Sequence, residues 1–189
     1  MKKFVSITAI ALATAITPVA TLADGHSVAN PMVGGADMFA DKDIVSNAVN
    51  SADHTTLVAA VQAAGLVETL QSEGPFTVFA PVNDAFAALP DGTVESLLME
   101  ENKDTLVKIL TAHVVAGEVK AEDLVKAIGM EADGSFEFET VSGDMLSASL
   151  DGEMVIITDE NGGTATVTIA NVMQSNGVIH VVDSVLLPM

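Results

Sequence analysis

The chain between residues 40 and 65 carries apolar residues at helical spacing. They recur every three or four positions in two groups, which predicts two short amphipathic helices. Asp53 offers an N-cap to the second helix, and Gly65 is the glycine expected at its end. The apolar positions of the two helices are Ile44, Val45, Ala48, Val49, Leu57, Val58, Val61 and Ala64.

Three further helices are predicted before residue 130. Asn83 is expected to cap a short helix that runs through Leu89, and Asn102 begins another whose apolar series ends on His113. That series predicts that His113 faces the core. Gly129 is expected to close the last of the three. Apolar residues of the last two helices are Leu106, Ile109, Leu110, Leu124, Val125 and Ile128.

The strand signals are concentrated in the C-terminal third of the chain. Residues 76–79 already predict a buried strand after the Gly74-Pro75 turn, and from Ser135 onwards apolar and polar residues alternate with a period of two. Glycine-containing turns at 142–143, 151–152 and 161–163 separate these strands into antiparallel hairpins. Helices followed by strands within one core-sized chain predict a single α+β domain over residues 40–189.

The N-terminal residues resemble an export signal. Lys2 and Lys3 precede an uncharged apolar stretch from Phe4 to Thr17. The small residues Thr21 and Ala23 suit cleavage by signal peptidase after Ala23. Residues 1–23 are therefore predicted to be a signal peptide. Residues 24–39 are rich in glycine and lack periodicity, so they are predicted to form a loose lead-in. This organisation predicts a secreted or periplasmic protein.

The composition excludes several classes of function. The chain has no cysteine, so it forms no disulfide and no thiolate metal site. Its formal net charge of -19 is the reverse of the basic footprint of nucleic-acid binders. Nucleic acid and anionic membranes are therefore not expected as partners of this acidic protein.

The histidines are the residues most able to carry chemistry. His113 lies on an apolar helix face and His180 in an apolar strand, so both are predicted to be buried, neutral and hydrogen-bonded to the backbone. The alternative is an enzyme or metal protein built on His54, His113 and His180. No spacing typical of zinc, phosphate or serine-hydrolase sites occurs, so no enzyme, metal or cofactor is expected. Residues 159–163 favour a hairpin turn over a calcium loop.

Two long segments resemble the two signature motifs of the fasciclin (FAS1) family. Residues 74–86 place a strand between prolines and follow it with a helix, and residues 176–188 join an Asn-Gly turn to an apolar strand. The helix end at His113 lies between them, and Asp43-Ile44-Val45 resembles the family's opening helix. The resemblance implies a fasciclin-like β-wedge of mostly antiparallel strands flanked by helices. It also implies an extracellular location and a role in adhesion without known catalysis.

Two positions depart from the family pattern. Many members have Tyr-His where this chain has Ala112-His113, and animal members have an integrin-contacting Asp-Ile where this chain has Asn171-Val172. Integrin binding is therefore not expected. The resemblance nevertheless marks His113, Asn171 and Val172 as the candidate binding residues.

The sequence favours a non-enzymatic domain for adhesion or for interaction with a matrix or surface. Its partner would be an unknown surface, protein or glycan, and the protein itself would be a monomer or a weak oligomer. The alternative is a carrier of an apolar small molecule such as a carotenoid, because some algal members of the family are similar to soluble carotenoid binders. A wedge between sheet and helices offers room for such a ligand.

Overall fold

The computed structural model describes residues 30–90 and 92–188, so the predicted signal peptide lies outside the described residues. Most of the helices precede the hairpins, as the sequence predicted. Two short 3-10 turns, Ala52–His54 and Glu100–Asn102, each lead directly into a helix of 10 residues. The α-helices are α1 (Ile44–Ala48), α2 (Thr55–Ala64), α3 (Val67–Leu70), α4 (Asn83–Ala87), α5 (Thr93–Leu97), α6 (Lys103–Ala112) and α7 (Ala121–Met130).

The strands form a small hairpin and one seven-stranded sheet. The hairpin pairs β1 (Met32–Val33) with β2 (Ala36–Asp37). The sheet has the order β4-β3-β9-β8-β7-β6-β5, and its neighbours are antiparallel except for β3 and β9. Its members are β3 (Phe76–Pro81), β4 (Val114–Ala116), β5 (Ser135–Glu139), β6 (Met145–Asp151), β7 (Met154–Thr158), β8 (Thr164–Gln174) and β9 (Gly177–Val182). The α+β prediction is confirmed.

The two motif strands lie side by side. β3 and β9 run parallel in continuous register from Phe76 opposite Gly177 to Pro81 opposite Val182. A parallel pair needs a long crossover connection, and the whole chain between the two motifs supplies it. The strands predicted from the two motifs are therefore direct partners, with hydrophobic side chains on both faces.

The sheet separates two hydrophobic clusters. One face of β3 and β9 packs against α1, α2 and α6, and the other face packs against α7 and the β5–β7 hairpins. The helix-side cluster includes Val78, Ala80, Ile179, Val181, Leu57, Val61, Leu106 and Leu110, and the opposite cluster includes Phe79, Val182, Leu124, Ile128, Leu146 and Ile157. Alternation along each strand produces this division, because successive side chains point to opposite faces.

Residues 24–39 were predicted to form a loose lead-in, and this prediction is wrong for residues 30–39, the part that the structure describes. The β1–β2 hairpin packs on the domain, with Val33 3% and Met38 2% exposed. Asn47 fixes the following turn, because its side chain accepts a hydrogen bond from the Phe39 N–H and donates one to the Phe39 carbonyl. The packed unit therefore begins before residue 40, and burial of two apolar side chains stabilises it.

Several helix ends differ from the predictions. Asp53 lies in a 3-10 turn and does not cap α2; instead the Asn83 Oδ1 atom accepts the Thr56 N–H at 3.0 Å. Asn83 therefore caps α2, which is distant in sequence. It does not cap α4, the helix in which it is the first residue. Gly129 lies inside α7 and does not close it. Gly65 ends α2 as predicted, in the left-handed conformation that suits glycine.

Candidate functional site

His113 follows α6 and is 2% exposed, as its position on the apolar face predicted. Its Nδ1–H donates to the Ile109 carbonyl at 2.8 Å, and its Nε2 accepts the Leu186 N–H at 2.9 Å. One nitrogen must donate and the other accept, so the ring is neutral with a single tautomer. Burial lowers the pKa of His113 in agreement with that state. The residue connects α6 to the C-terminal segment.

His180 performs a similar task at the centre of β9. Its Nε2–H donates to the Val119 carbonyl at 2.8 Å, and its Nδ1 accepts the Asn171 N–H at 3.4 Å. The ring stacks on Phe79 with centroids 5.6 Å apart. Because one ring nitrogen donates and the other accepts, the ring is neutral, and burial lowers the pKa of His180 in agreement with that state. The prediction of two buried histidines bonded to the backbone is confirmed.

Asn171 and Val172 lie at an irregularity in β8, where the register against β9 shifts. Asn171 has a φ of 57°, a left-handed conformation that asparagine tolerates better than most residues. Its Oδ1 accepts the Ala121 N–H, and its Nδ2 donates to the Glu122 carboxylate, both at 2.8 Å. Hydrogen bonds from the backbone amide of Glu122 and from Asn171 lower the pKa of Glu122. The bulge is thereby joined to the first turn of α7.

Of the three candidate binding residues, only Asn171 has a side chain that reaches the surface. Val172 is 0% exposed in the helix-side cluster and His113 is sealed within the interior, so neither side chain reaches an external partner. Asn171 is half-buried and adjoins the exposed Glu122. Through its backbone Asn171 contacts His180 rather than His113. We call the pair Asn171 and Glu122 the bulge surface.

The described residues offer little that could ligate a metal. Residues 30–90 and 92–188 contain no group of three or more His, Asp or Glu side chains arranged to hold a metal ion. Both nitrogens of His113 and of His180 are already engaged with the backbone. In the 159–163 turn, Asp159 Oδ1 accepts the backbone N–H groups of Asn161 and Gly163. The hairpin-turn prediction for this segment is confirmed.

A largely apolar cavity of about 70 Å³ lies between the helices and the β3–β9 pair, and its lining reaches the surface at the exposed Val141. His54, 3% exposed, lines it with its Nδ1 at 2.9 Å from Ser51 Oγ. The Ala80 carbonyl is a second hydrogen-bond partner of the ring. Burial lowers the pKa of His54, while the Ala80 carbonyl and the Asp53 carboxylate act in the opposite direction. Apolar residues around the cavity include Val33, Met38, Leu57, Val61, Val141 and Ile179.

The place of His54 in the cavity wall was not predicted from the sequence. Its position three, four and seven residues before Leu57, Val58 and Val61 continues the apolar face of α2 backwards, and this signal could have predicted its burial. The cavity itself could not be predicted, because its walls come from segments far apart in the chain.

The Fasciclin domain family model matches residues 52–188, which include both motif segments and the His113 helix end. The chain belongs to the Fasciclin domain family. The cavity wall formed by β1 and α1 lies before the matched region. In the described part of the chain, no helix combines the length and the apolar character needed to cross a membrane.

The chain is similar to both bacterial and animal proteins. It is 52% identical over 146 residues to Protein sll1483 of Synechocystis sp., a match that covers 77% of this chain and 73% of that protein. It is 32% identical to the immunogenic protein MPB70 of Mycobacterium bovis, over 94% of this chain and 90% of that protein. The pig transforming growth factor-beta-induced protein ig-h3 is 39% identical over 70% of this chain, which corresponds to 17% of that protein.

A solved structure shares the fold. The FAS1 domain pair from the insect cell adhesion molecule Fasciclin I superposes with a TM-score of 0.55 at 22% identity, over 67% of this chain and 42% of that chain. The mixed architecture with a mostly antiparallel sheet is therefore the FAS1 fold, as the resemblance implied. Homologues in this family are known for adhesion and not for catalysis.

Proposed function

We propose that this protein is exported and acts as a non-enzymatic adhesion domain that binds a surface, protein or glycan partner. The observation that carries the proposal is membership of the Fasciclin domain family over residues 52–188, with the fold of a domain pair from a cell adhesion molecule. Fold by itself does not fix function, so the proposal also needs a surface that could make contact.

The bulge surface is the contact region that we propose. Asn171 is held from two sides, by the Ala121 N–H at its Oδ1 and by the packing of Val172 beneath it. A side chain positioned by buried neighbours loses little conformational entropy on binding. Glu122 adds an exposed charge directly beside it. In this scheme His113, His180 and Val172 position the surface and contact no partner.

The predicted signal peptide supports the proposed secreted or periplasmic location. The formal net charge of -19 opposes association with nucleic acid and with anionic membranes through long-range repulsion. A cationic or neutral partner surface fits this charge better than an acidic one. The protein is proposed to act as a monomer or weak oligomer.

The apolar cavity is too small for a carotenoid-sized ligand. Pockets for molecules of drug size enclose roughly 300–1,000 Å³, whereas the apolar cavity encloses about 70 Å³. We therefore expect protein purified from its native source to lack visible absorbance. A stoichiometric pigment would restore the carrier alternative.

Deletion of the gene tests the proposed function. Loss of export-competent protein is expected to reduce attachment of the cells to surfaces, and reintroducing the complete chain is expected to restore attachment. A chain without residues 1–23 is the matched control, because it makes the same domain without the proposed export signal. Unchanged attachment in the deletion strain on every surface tested would contradict adhesion.

A further inference from the structure

Strand β5 lies at one edge of the seven-stranded sheet, next to β6. Its register with β6 places Glu139 opposite Met145. The Thr140 N–H donates to the Asp144 carbonyl at 2.9 Å, so the backbone of Thr140 faces β6. Because the direction of the backbone groups alternates along an antiparallel strand, Glu137 and Glu139 point their N–H and C=O groups away from β6. We call these two residues the β5 edge.

The chain closes both ends of β5 and leaves the β5 edge between them open. Before the strand, Asp133 Oδ1 accepts the Ser135 N–H at 3.2 Å. Beyond the strand, the Val141 N–H donates to the Val114 carbonyl of β4 at 2.8 Å. Among the described residues, no hydrogen bond from a third segment reaches the backbone of the β5 edge. Two N–H and two C=O groups are therefore available to another chain.

An open sheet edge can accept a further strand, because its free N–H and C=O groups continue the hydrogen-bond ladder. Many proteins block such edges with proline, lysine, a β-bulge or a covering segment. β5 contains neither proline nor lysine, and its register with β6 is regular over the whole strand. The β5 edge is therefore a template for one added strand.

Charge disfavours a second copy of this chain as the added strand. Antiparallel pairing of two β5 strands would place glutamates of one copy opposite glutamates of the other, and like charges directly opposite each other are destabilising. The formal net charge of -19 adds long-range repulsion between copies. The exposed carboxylates of Glu137 and Glu139 instead favour lysine or arginine at the two opposing positions.

The other face of β5 selects the residue between those two basic positions. Phe136 and Phe138 alternate with the glutamates and pack, only partly buried, against the cluster on the α7 side of the sheet. The Phe138 ring stacks on Phe79 with centroids 5.9 Å apart. Side chains of an added strand alternate in step with those of β5, so the residue opposite Phe138 lies on the phenylalanine face. An apolar side chain is favoured there, because aromatic and β-branched residues pair well across strands.

We infer that the β5 edge binds an extended peptide in which an apolar residue stands between two basic residues. The peptide lies antiparallel to β5, and each basic residue exchanges two backbone hydrogen bonds with one glutamate of the edge. Its side chain pairs with the carboxylate of the same glutamate. This site goes beyond the adhesive contact proposed above, because β5 contains neither residue of the bulge surface.

Titration of the intact folded protein with the peptide Val-Lys-Val-Lys-Val, acetylated and amidated at its ends, tests the inference. Amide hydrogen exchange is followed residue by residue by NMR. The Glu137 and Glu139 amides are expected to exchange about tenfold more slowly at a peptide concentration about ten times the dissociation constant, because the bound peptide accepts their hydrogen bonds. Attraction between charges alone would leave these two amides unprotected.

Two N-methylated peptides separate strand addition from charge attraction. Methylation of both lysine nitrogens removes the N–H groups that face β5 and is expected to weaken binding about tenfold or more. Methylation of the central valine nitrogen changes an N–H that points away from β5, so it is expected to preserve binding. Both peptides carry the same charge as the parent peptide.

A pair of protein variants tests the charge of the edge. Glu137→Gln combined with Glu139→Gln is expected to weaken binding of the parent peptide about threefold or more. Glu95→Gln, at an exposed position of α5, is expected to preserve it. Absent saturable binding, unprotected Glu137 and Glu139 amides, or equal binding of the two N-methylated peptides would overturn the inference. Equal binding of the acidic peptide Val-Glu-Val-Glu-Val would also overturn it.

Discussion

At the scale of single residues, His113 is the most informative side chain, because its ring satisfies two buried backbone groups. His113→Ala leaves the Ile109 carbonyl and the Leu186 N–H unpaired and opens a void in the interior. We expect it to lower the free energy of unfolding by about 2 to 4 kcal/mol, measured by urea denaturation. Asp53→Ala is the control, with an expected change within about 0.5 kcal/mol because Asp53 is exposed and caps no helix. Equal effects would contradict this account of His113.

The same residues predict how stability depends on pH. Burial lowers the pKa of His54, His113 and His180 below 6.5, the value expected in the unfolded chain. The unfolded state then binds more protons below pH 6.5, so the stabilisation is complete above that pH and is lost as the pH falls towards the folded-state pKa values. We expect the urea concentration at the unfolding midpoint to decrease as the pH is lowered from about 7.5 to about 5.5. A midpoint that stays constant or rises over this range would contradict neutral burial.

Periodicity was sufficient to predict the burial of His113 and His180, because each occupies a position on an apolar face. It could not predict their partners, since the Leu186 N–H and the Val119 carbonyl come from distant loops. Asn83 illustrates the same limit: its sequence context is typical of a local cap, yet its side chain caps α2. Capping depends on which helix end lies nearby in space.

At the scale of elements, the parallel pair of motif strands depends on a close approach at Gly177. A Cβ atom there would overlap the Phe76 carbonyl oxygen, and the residue has a φ of 156°. Gly177→Ala is expected to cost about 2 kcal/mol or more, because strand β3 must move. Gly143→Ala, with φ 88° and no neighbour within 4 Å of the added atom, is the control. It is expected to cost only about 1 to 2 kcal/mol, the strain of a left-handed backbone. A smaller loss for Gly177→Ala than for Gly143→Ala in thermal unfolding would contradict the strand contact.

The elements that the sequence predicted well are those with a strong local signal. Alternation and glycine turns located the hairpins, and the two motifs located β3 and β9. The β1–β2 hairpin was missed because strands of two residues contain no periodicity. The hairpin is held in place by the packing of Val33 and Met38 against the rest of the domain. The local sequence does not reveal these tertiary contacts.

At the scale of the whole molecule, charge governs the response to salt. A formal net charge of -19 produces self-repulsion that compactness increases, and the ion pairs Lys120–Glu118 and Lys126–Asp123 are largely exposed and weak. The screening length falls from about 30 Å at 0.01 M to about 10 Å at 0.1 M salt. We expect the melting temperature to rise over this range, equally in NaCl and KCl. A saturable extra rise in millimolar calcium at equal ionic strength would contradict a purely diffuse effect.

The central claim, adhesion through the bulge surface, is tested most directly by a charge reversal beside Asn171. Beads coated with the folded protein are applied to surfaces that bind the unmodified protein, and the retained fraction is counted. We predict that Glu122→Lys lowers retention at least about tenfold, the effect of losing roughly 1.4 kcal/mol of binding free energy. Glu95→Lys, an equally exposed charge in the first turn of α5, is predicted to leave retention unchanged. Equal retention of the two variants would contradict the claim.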